Sequence, residues 1–192
     1  MTITRHFSLN RLLMLALAAA AIVAALSVLR PAAAGNKGDE AKAQLRNAAG
    51  TVVGEVKFEQ ERNGVDVRVK VRGLTPGFHG FHIHTTGSCV AADFASAGSH
   101  YNPTGETHGH HAGDMPTLQV NPDGTGEARF TIASFQVGQL FDADGSALIV
   151  HAAADNYANI PPRYAPNGPD ATTLGTGDSG SRVACGVVQL DD

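Results

Sequence analysis

No stretch of this sequence concentrates lysine or arginine, no convincing amphipathic helix can be traced in it, and it holds only two cysteines. The first lack argues against a nucleic-acid partner, because neutralising phosphates takes clustered basic side chains. The second removes folds that alternate strands with helices. The third rules out a disulfide-dense miniature scaffold and leaves room for a single internal bridge. What remains at 192 residues is one domain of ordinary size, large enough for a substantial core.

The N-terminal residues read separately. Arg5 and Arg11 precede an uncharged run from Leu12 to Leu29, and Ala32-Ala33-Ala34 offers small residues at a cleavage point. Residues 1–34 have the pattern of an export signal. An uncleaved membrane anchor is the alternative, since the 18-residue run is near the lower limit for spanning a bilayer. No cysteine near that junction could take a lipid. The expected domain, residues 35–192, carries 11 basic against 18 acidic residues and is acidic. Its expected location is extracellular, periplasmic or in the cell envelope. Cys89 and Cys185 both fall in it, and oxidising conditions there favour a disulfide over two separate buried thiols. Such a bridge would close a loop of nearly a hundred residues.

From Ala41 onward, short β-prone stretches alternate with turn formers. Val65 to Arg72 sets valines on one face and charges on the other, the pattern of a half-buried strand. Thr51 to Glu59 pairs with it through a turn near Asn63-Gly64, and Leu74-Thr75-Pro76-Gly77 ends the hairpin before Phe78 to His84 resumes in extended form. Further strands fit Thr117–Val120, Gly126–Thr131, Ala147–His151 and Ala184–Leu190. Many short strands between glycine and proline turns predict an all-β sandwich or barrel. Residues 85–116 and 152–183 fit no strand, and loops of that length in a domain of this size are usually functional or disordered.

The histidines favour function. Of nine, all but His6 and His79 fall between His82 and His151. Residues two apart on a strand share a face, so His82 and His84 present two imidazoles side by side. With His151 at the end of an apolar strand and His100 at the start of the loop cluster, four neutral imidazoles suit copper. His108, His111 and Asp114, with His100 shared as fourth ligand, suit a closed tetrahedral zinc site. The alternative is a flexible histidine-rich loop that binds metal loosely.

Four separated segments carry a resemblance to the Cu,Zn superoxide dismutases. They are Gly77 to His84, Ser96 to Pro103, His111 to Asp114 and Gly180 to Val187. The resemblance spans nearly all of the domain and implies an eight-stranded Greek-key β-barrel or sandwich with two long functional loops. It implies copper at His82, His84, His100 and His151, zinc at His100, His108, His111 and Asp114, and a Cys89–Cys185 disulfide. It further implies that Asp155 supports one copper and one zinc histidine, that Arg182 guides the superoxide anion, that His100 acts in catalysis, and that His79 is structural.

The sequence departs from that family in two places. Only Gly109 and His110 separate His108 from His111, a gap usually several residues longer, which makes the zinc site the weaker expectation and leaves His110 unassigned. The loop from Ala152 to Ser181 has no lysine, and its Asn159 to Tyr164 stretch is apolar enough to pack on the barrel or on a second subunit of a homodimer. Two alternatives accompany the dismutase reading. One is a copper-buffering protein of the same fold, and the other is a dismutase that uses copper without zinc.

Overall fold

The computed structural model describes residues 39–191, and the segment 1–34 read as a signal or anchor lies outside the described residues. Strands β1 (Glu40–Asn47), β2 (Val52–Glu61) and β3 (Gly64–Val71) form an antiparallel meander, with Glu61 paired to Gly64 across the tight turn foreseen at Asn63-Gly64. The alternation in β3 works as the sequence suggests, with Val65, Val67, Val69 and Val71 buried and Arg68 and Lys70 exposed. Asp66 breaks the pattern. It is buried because Arg68 Nε and Arg129 Nε reach its two carboxylate oxygens at 2.7 and 2.9 Å.

The stretch from Phe78 to His84 is divided at Gly80. Residues before it form β4 (Gly77–His79) and those after it β5 (Phe81–His84). The remaining strands are β6 (Leu118–Val120), β7 (Gly126–Ile132), β8 (Ala147–His151) and β9 (Arg182–Leu190). Among the described residues there are nine strands, against seven spans read from the sequence and the eight the family resemblance implies; beyond the seven are β1, which no span covered, and the extra strand made by this break. Gly80 permits it. A Cβ there would sit 2.5 Å from that of Ser179, while the Gly80 amide donates to Ala153 O at 2.8 Å.

The break also divides the strands into two sheets. Seven strands run in the order β5-β8-β9-β1-β2-β3-β7, and β4 pairs with β6 in a second, two-stranded ladder. β4 continues into β5 and β6 turns into β7, so the small ladder lies between the two ends of the large sheet, and the outer edge of β5 is covered by the first long loop. Leu45, Val56, Phe58, Val67, Phe81, Ile83, Leu148 and Val150 fill the interior. The segment between β7 and β8 adds Phe135, Val137 and Leu140 to that core, with Phe135 edge-on to Phe58 at 6.2 Å. Burying such side chains is the main stabilising term, about 1.5–3 kcal/mol for each large one.

The second long loop is not helix-free. It contains α1 (Ala171–Thr176), capped by Asp170 at its start and by Gly177, in the left-handed region with φ 60°, at its end. The first long loop is tied to the barrel by the Cys89–Cys185 disulfide.

Candidate metal centre

Strand β5 is buried along its whole length, and the first long loop lies against it like an extra strand. Ile83 anchors this arrangement from both sides: its amide donates to Gly113 O at 2.9 Å, and its carbonyl accepts from Tyr101 N at 2.8 Å. Bridges therefore form between His84 and His100 and between His82 and Asp114, which carry the loop histidines and the carboxylate to the strand pair. Gly113 makes the approach possible, since a Cβ there would lie 2.5 Å from Ile83 O. His151, at the end of β8, enters from the neighbouring strand, as β8 pairs with β5.

The ligand atoms of His82, His84, His100 and His151 lie within 4.8 Å of one another. Three of these imidazoles give their outward nitrogen to an oxygen acceptor: His82 Nε2 to Asp155 Oδ2 at 2.6 Å, His84 Nδ1 to Gly98 O and His151 Nδ1 to Gly180 O, both at 3.0 Å. Each bond fixes the proton on the bonded nitrogen. The opposite nitrogens, His82 Nδ1, His84 Nε2 and His151 Nε2, are buried without any hydrogen-bond partner. Three bare lone pairs facing one another are costly unless something electrophilic sits among them. Burial keeps these imidazoles neutral, pushing His82 down to about 4, His151 to about 3 and His84 well below the usual range. An imidazole must be unprotonated to ligate a metal.

The second group is more regular. His100 Nδ1 lies 3.1 Å from Asp114 Oδ1, 3.2 Å from His108 Nδ1 and 3.4 Å from His111 Nδ1, and Asp114 Oδ1 lies 3.3 Å from each of the latter two. A tetrahedral zinc with bonds of about 2.0–2.1 Å holds its ligand atoms about 3.3–3.4 Å apart. The donor types suit that ion, and these five separations match its spacing; His82 also offers a ligand atom within 4.8 Å of those of His100, His108 and Asp114. The short gap is bridged by wrapping the chain around Asp114, whose other oxygen accepts the amides of Gly109 and His111 at 2.7 and 3.0 Å. Gly109, at φ 89°, supplies the turn. Burial opposes a charge on His108, but its bonds to Asp114 and Asp155 outweigh that and raise it to about 9. The carboxyls of Asp114 and Asp155 are held well below the usual carboxylate range, against burial, by the same histidines.

Asp155 links the groups. Its oxygens accept from His82 Nε2 at 2.6 Å and from His108 Nε2 at 2.8 and 2.9 Å. Arg182 opens β9 and lines a cavity of about 660 Å³ together with His84, His100, His151, Thr172, Thr176 and Asp178. Its guanidinium is held by Phe94 O and Gly98 O, both at 2.6 Å. Cys89 and Cys185, 96 residues apart, form the disulfide. His110 is exposed and belongs to neither donor group. His79 is buried between two carbonyls, Nδ1 at 2.6 Å from His151 O and Nε2 at 2.8 Å from Thr75 O.

Two residues of the centre escape a reading of the sequence. A Cβ on Gly177 would lie 2.0 Å from Asp155 Oδ1 and 2.2 Å from His108 Nε2, so glycine is required against the linking carboxylate. Tyr157 sets its ring nearly parallel to His108, at 18° and 6.5 Å between centroids. Glycine-rich loops give no periodic signal, and neither residue is a ligand type that draws attention.

The chain is similar to known proteins in sequence and fold. Residues 52–188 match the sequence model of the family described as copper/zinc superoxide dismutase. A superoxide dismutase [Cu-Zn] of Mycobacterium tuberculosis is 43% identical over 157 residues, covering 72% of this chain and 65% of the relative, so the chain spans just under two thirds of that relative's length. Among solved structures, a SOD-like protein from Bacillus subtilis is 34% identical with TM-score 0.65, covering 76% of this chain and 96% of that one. The Cu/Zn superoxide dismutase from Brucella abortus is 30% identical with TM-score 0.61, covering 78% and 99%. With an all-β fold, two histidine-rich donor groups that meet at His82 and His100, and matches over most of the domain, the chain belongs to the copper/zinc superoxide dismutase family.

Proposed function

We propose that this domain is a superoxide dismutase that holds copper at His82, His84, His100 and His151 and zinc at His100, His108, His111 and Asp114. One observation carries the reading: His100 stands among the four clustered imidazoles while its Nδ1 lies 3.1, 3.2 and 3.4 Å from Asp114 Oδ1, His108 Nδ1 and His111 Nδ1. Bound copper would supply the one-electron couple that dismutation needs, which zinc, without redox chemistry, cannot. One superoxide is oxidised to dioxygen, and a second, taking the electron and two protons, becomes hydrogen peroxide.

The chain's own residues handle the anion and a proton. Arg182 lines the cavity beside His84, His100 and His151. With two backbone carbonyls orienting its guanidinium, its remaining donors can dock a small anion there. His100 can hold a proton at Nε2 and release it to the reduced anion, since Nδ1 stays within the tetrahedral group. Asp155 keeps His82 and His108 turned the right way, and Gly177 leaves it room.

The domain works outside the cytoplasm, with residues 1–34 as export signal. The disulfide and the charge pattern of that segment support this reading. Purified protein reconstituted with both metals is expected to accelerate superoxide decay, and to lose the activity when copper alone is withdrawn. Copper bound without turnover would favour a buffering role, and turnover with no zinc bound would favour a copper-only enzyme.

A further inference from the structure

The segment from His108 to Asp114 is too short to pack against itself, yet its donors lie at tetrahedral spacing. Within it, the Asp114 carboxylate accepts two amides and the Asp114 amide donates to His111 O. From outside, Leu174 O accepts the His108 amide, Ile83 and Tyr101 hold Gly113, and Ser134 Oγ donates to Ala112 O, while one further residue reaches the chain on both sides of the cluster. We propose that Tyr157 is the positioning residue that keeps this abbreviated segment in ligand geometry, in place of the longer connection it lacks. The inference rests on the zinc site proposed above.

Tyr157 touches the segment at both ends. At the beginning, its ring lies nearly parallel to that of His108. Its carbonyl faces Gly109 so closely that a Cβ there would be 2.6 Å from the oxygen. Beyond the end of the segment, its hydroxyl accepts the Thr117 amide at 2.6 Å, lies 2.7 Å from Thr117 Oγ1 and reaches Met115 O at 3.4 Å. Its own amide donates to Asp155 Oδ1 at 2.7 Å, the oxygen that accepts from His108 Nε2. One side chain thus spans the chain entering and leaving the cluster, while its backbone braces the carboxylate behind it.

The backbone conformation agrees. Tyr157 and Ala158 both occupy the left-handed region, with φ of 55° and 54°. Two consecutive residues other than glycine hold such angles only where the surroundings impose them. The turn aims the tyrosine ring at His108 and the hydroxyl at Thr117.

The test compares the parent with Tyr157→Phe, which loses the hydroxyl bonds, Tyr157→Leu, which also loses the ring, and Gly109→Ala, which forces the segment off Tyr157 O. Zinc affinity is measured by competition with a chromophoric chelator, the visible band of cobalt(II) reports the geometry of the site, and melting of the metal-free proteins reports folding. The expected result is zinc affinity reduced about 10–100-fold in Tyr157→Leu and Gly109→Ala and by less in Tyr157→Phe. The cobalt band should weaken in the same order, while copper affinity falls by less than zinc affinity, because the copper histidines keep their own acceptors on Gly98, Gly180 and Asp155. Unchanged zinc affinity in variants of a parent that binds zinc would overturn the inference alone. A parent that binds no zinc would overturn it together with the zinc reading. If Tyr157→Leu does not fold, Tyr157→Phe and Gly109→Ala carry the comparison, and metal-free melting lowered without any change in zinc affinity or cobalt band would reduce Tyr157 to a packing residue and refute the proposal.

Discussion

Arg182 and His84 hydrogen-bond to the same acceptor. The carbonyl oxygen of Gly98 lies 2.6 Å from Arg182 Nη2 and 3.0 Å from His84 Nδ1. The residue proposed to dock the anion and a residue proposed to hold copper are therefore fixed to one point of the backbone, so their separation does not depend on either side chain's rotamer alone.

Replacing Arg182 separates docking from metal binding. Arg182→Ala should lower the rate of superoxide decay by about tenfold or more and flatten its dependence on ionic strength, while copper content stays at the parent level. Arg182→Lys should recover only part, because an ammonium cannot reproduce a planar fork held on both Phe94 O and Gly98 O. Rates measured over a series of salt concentrations check this, and parental kinetics in Arg182→Ala would remove the residue from the site.

Asp155→Asn keeps the volume but offers one acceptor oxygen where His82 and His108 use two. One imidazole then loses its orienting partner. The expected outcome is a loss of about 10–100-fold in affinity for at least one metal, read by chelator competition.

Gly177→Ala carries two penalties, a left-handed φ of 60° and a Cβ 2.0 Å from Asp155 Oδ1. Destabilisation of about 1–3 kcal/mol is expected from the backbone strain, measurable by chemical denaturation of the metal-free protein. Metal affinity should fall in parallel because the displaced group is Asp155.

The metal-free protein should be most stable near pH 6.5. An unfolded imidazole gains its proton near that pH, whereas burial keeps folded His82 from it until about pH 4 and His151 until about pH 3, and holds His84 well below the usual range. Stability is therefore lost as the pH falls from about 6.5 towards 3. His108 acts in the other direction. The folded protein keeps that proton up to about pH 9 while the unfolded chain releases it near 6.5, so this contribution disappears as the pH rises through 9. Zinc would take the proton's place, so the gain in melting temperature on loading zinc should widen between pH 6.5 and 9. A gain that is flat over that range would show that His108 is not displaced from its proton.

Much of this centre is legible in the sequence because strand period is a strict rule. His82 and His84 two apart on β5, and His151 ending the apolar β8, follow from alternation and run length. Loop residues obey no such period. The convergence of His100, His108, His111 and Asp114 depends on the loop pairing with Ile83 and on Asp114 gathering backbone amides, contacts that connect residues far apart in sequence or hidden in a turn. The break at Gly80 is invisible for the same reason: what stops the strand is Ser179, a hundred residues away, and not a local turn signal. Helix α1 is not legible in the sequence, because six residues of threonine, glycine and small apolar groups give no amphipathic period; its Asp170 cap and closing Gly177 are seen only in the structure. Asp66 reads as an exposed charge on β3 and is buried because Arg129 of β7 covers it.

The central claim is that two metals share His100. Loading copper(II) in the first site and cobalt(II) in the second tests it directly, because a single imidazole ring between paramagnetic ions couples their spins. The account predicts that the copper electron paramagnetic resonance signal disappears on adding cobalt and returns when cobalt is exchanged for zinc. A copper signal unchanged by bound cobalt would contradict a shared His100 and with it the two-metal centre.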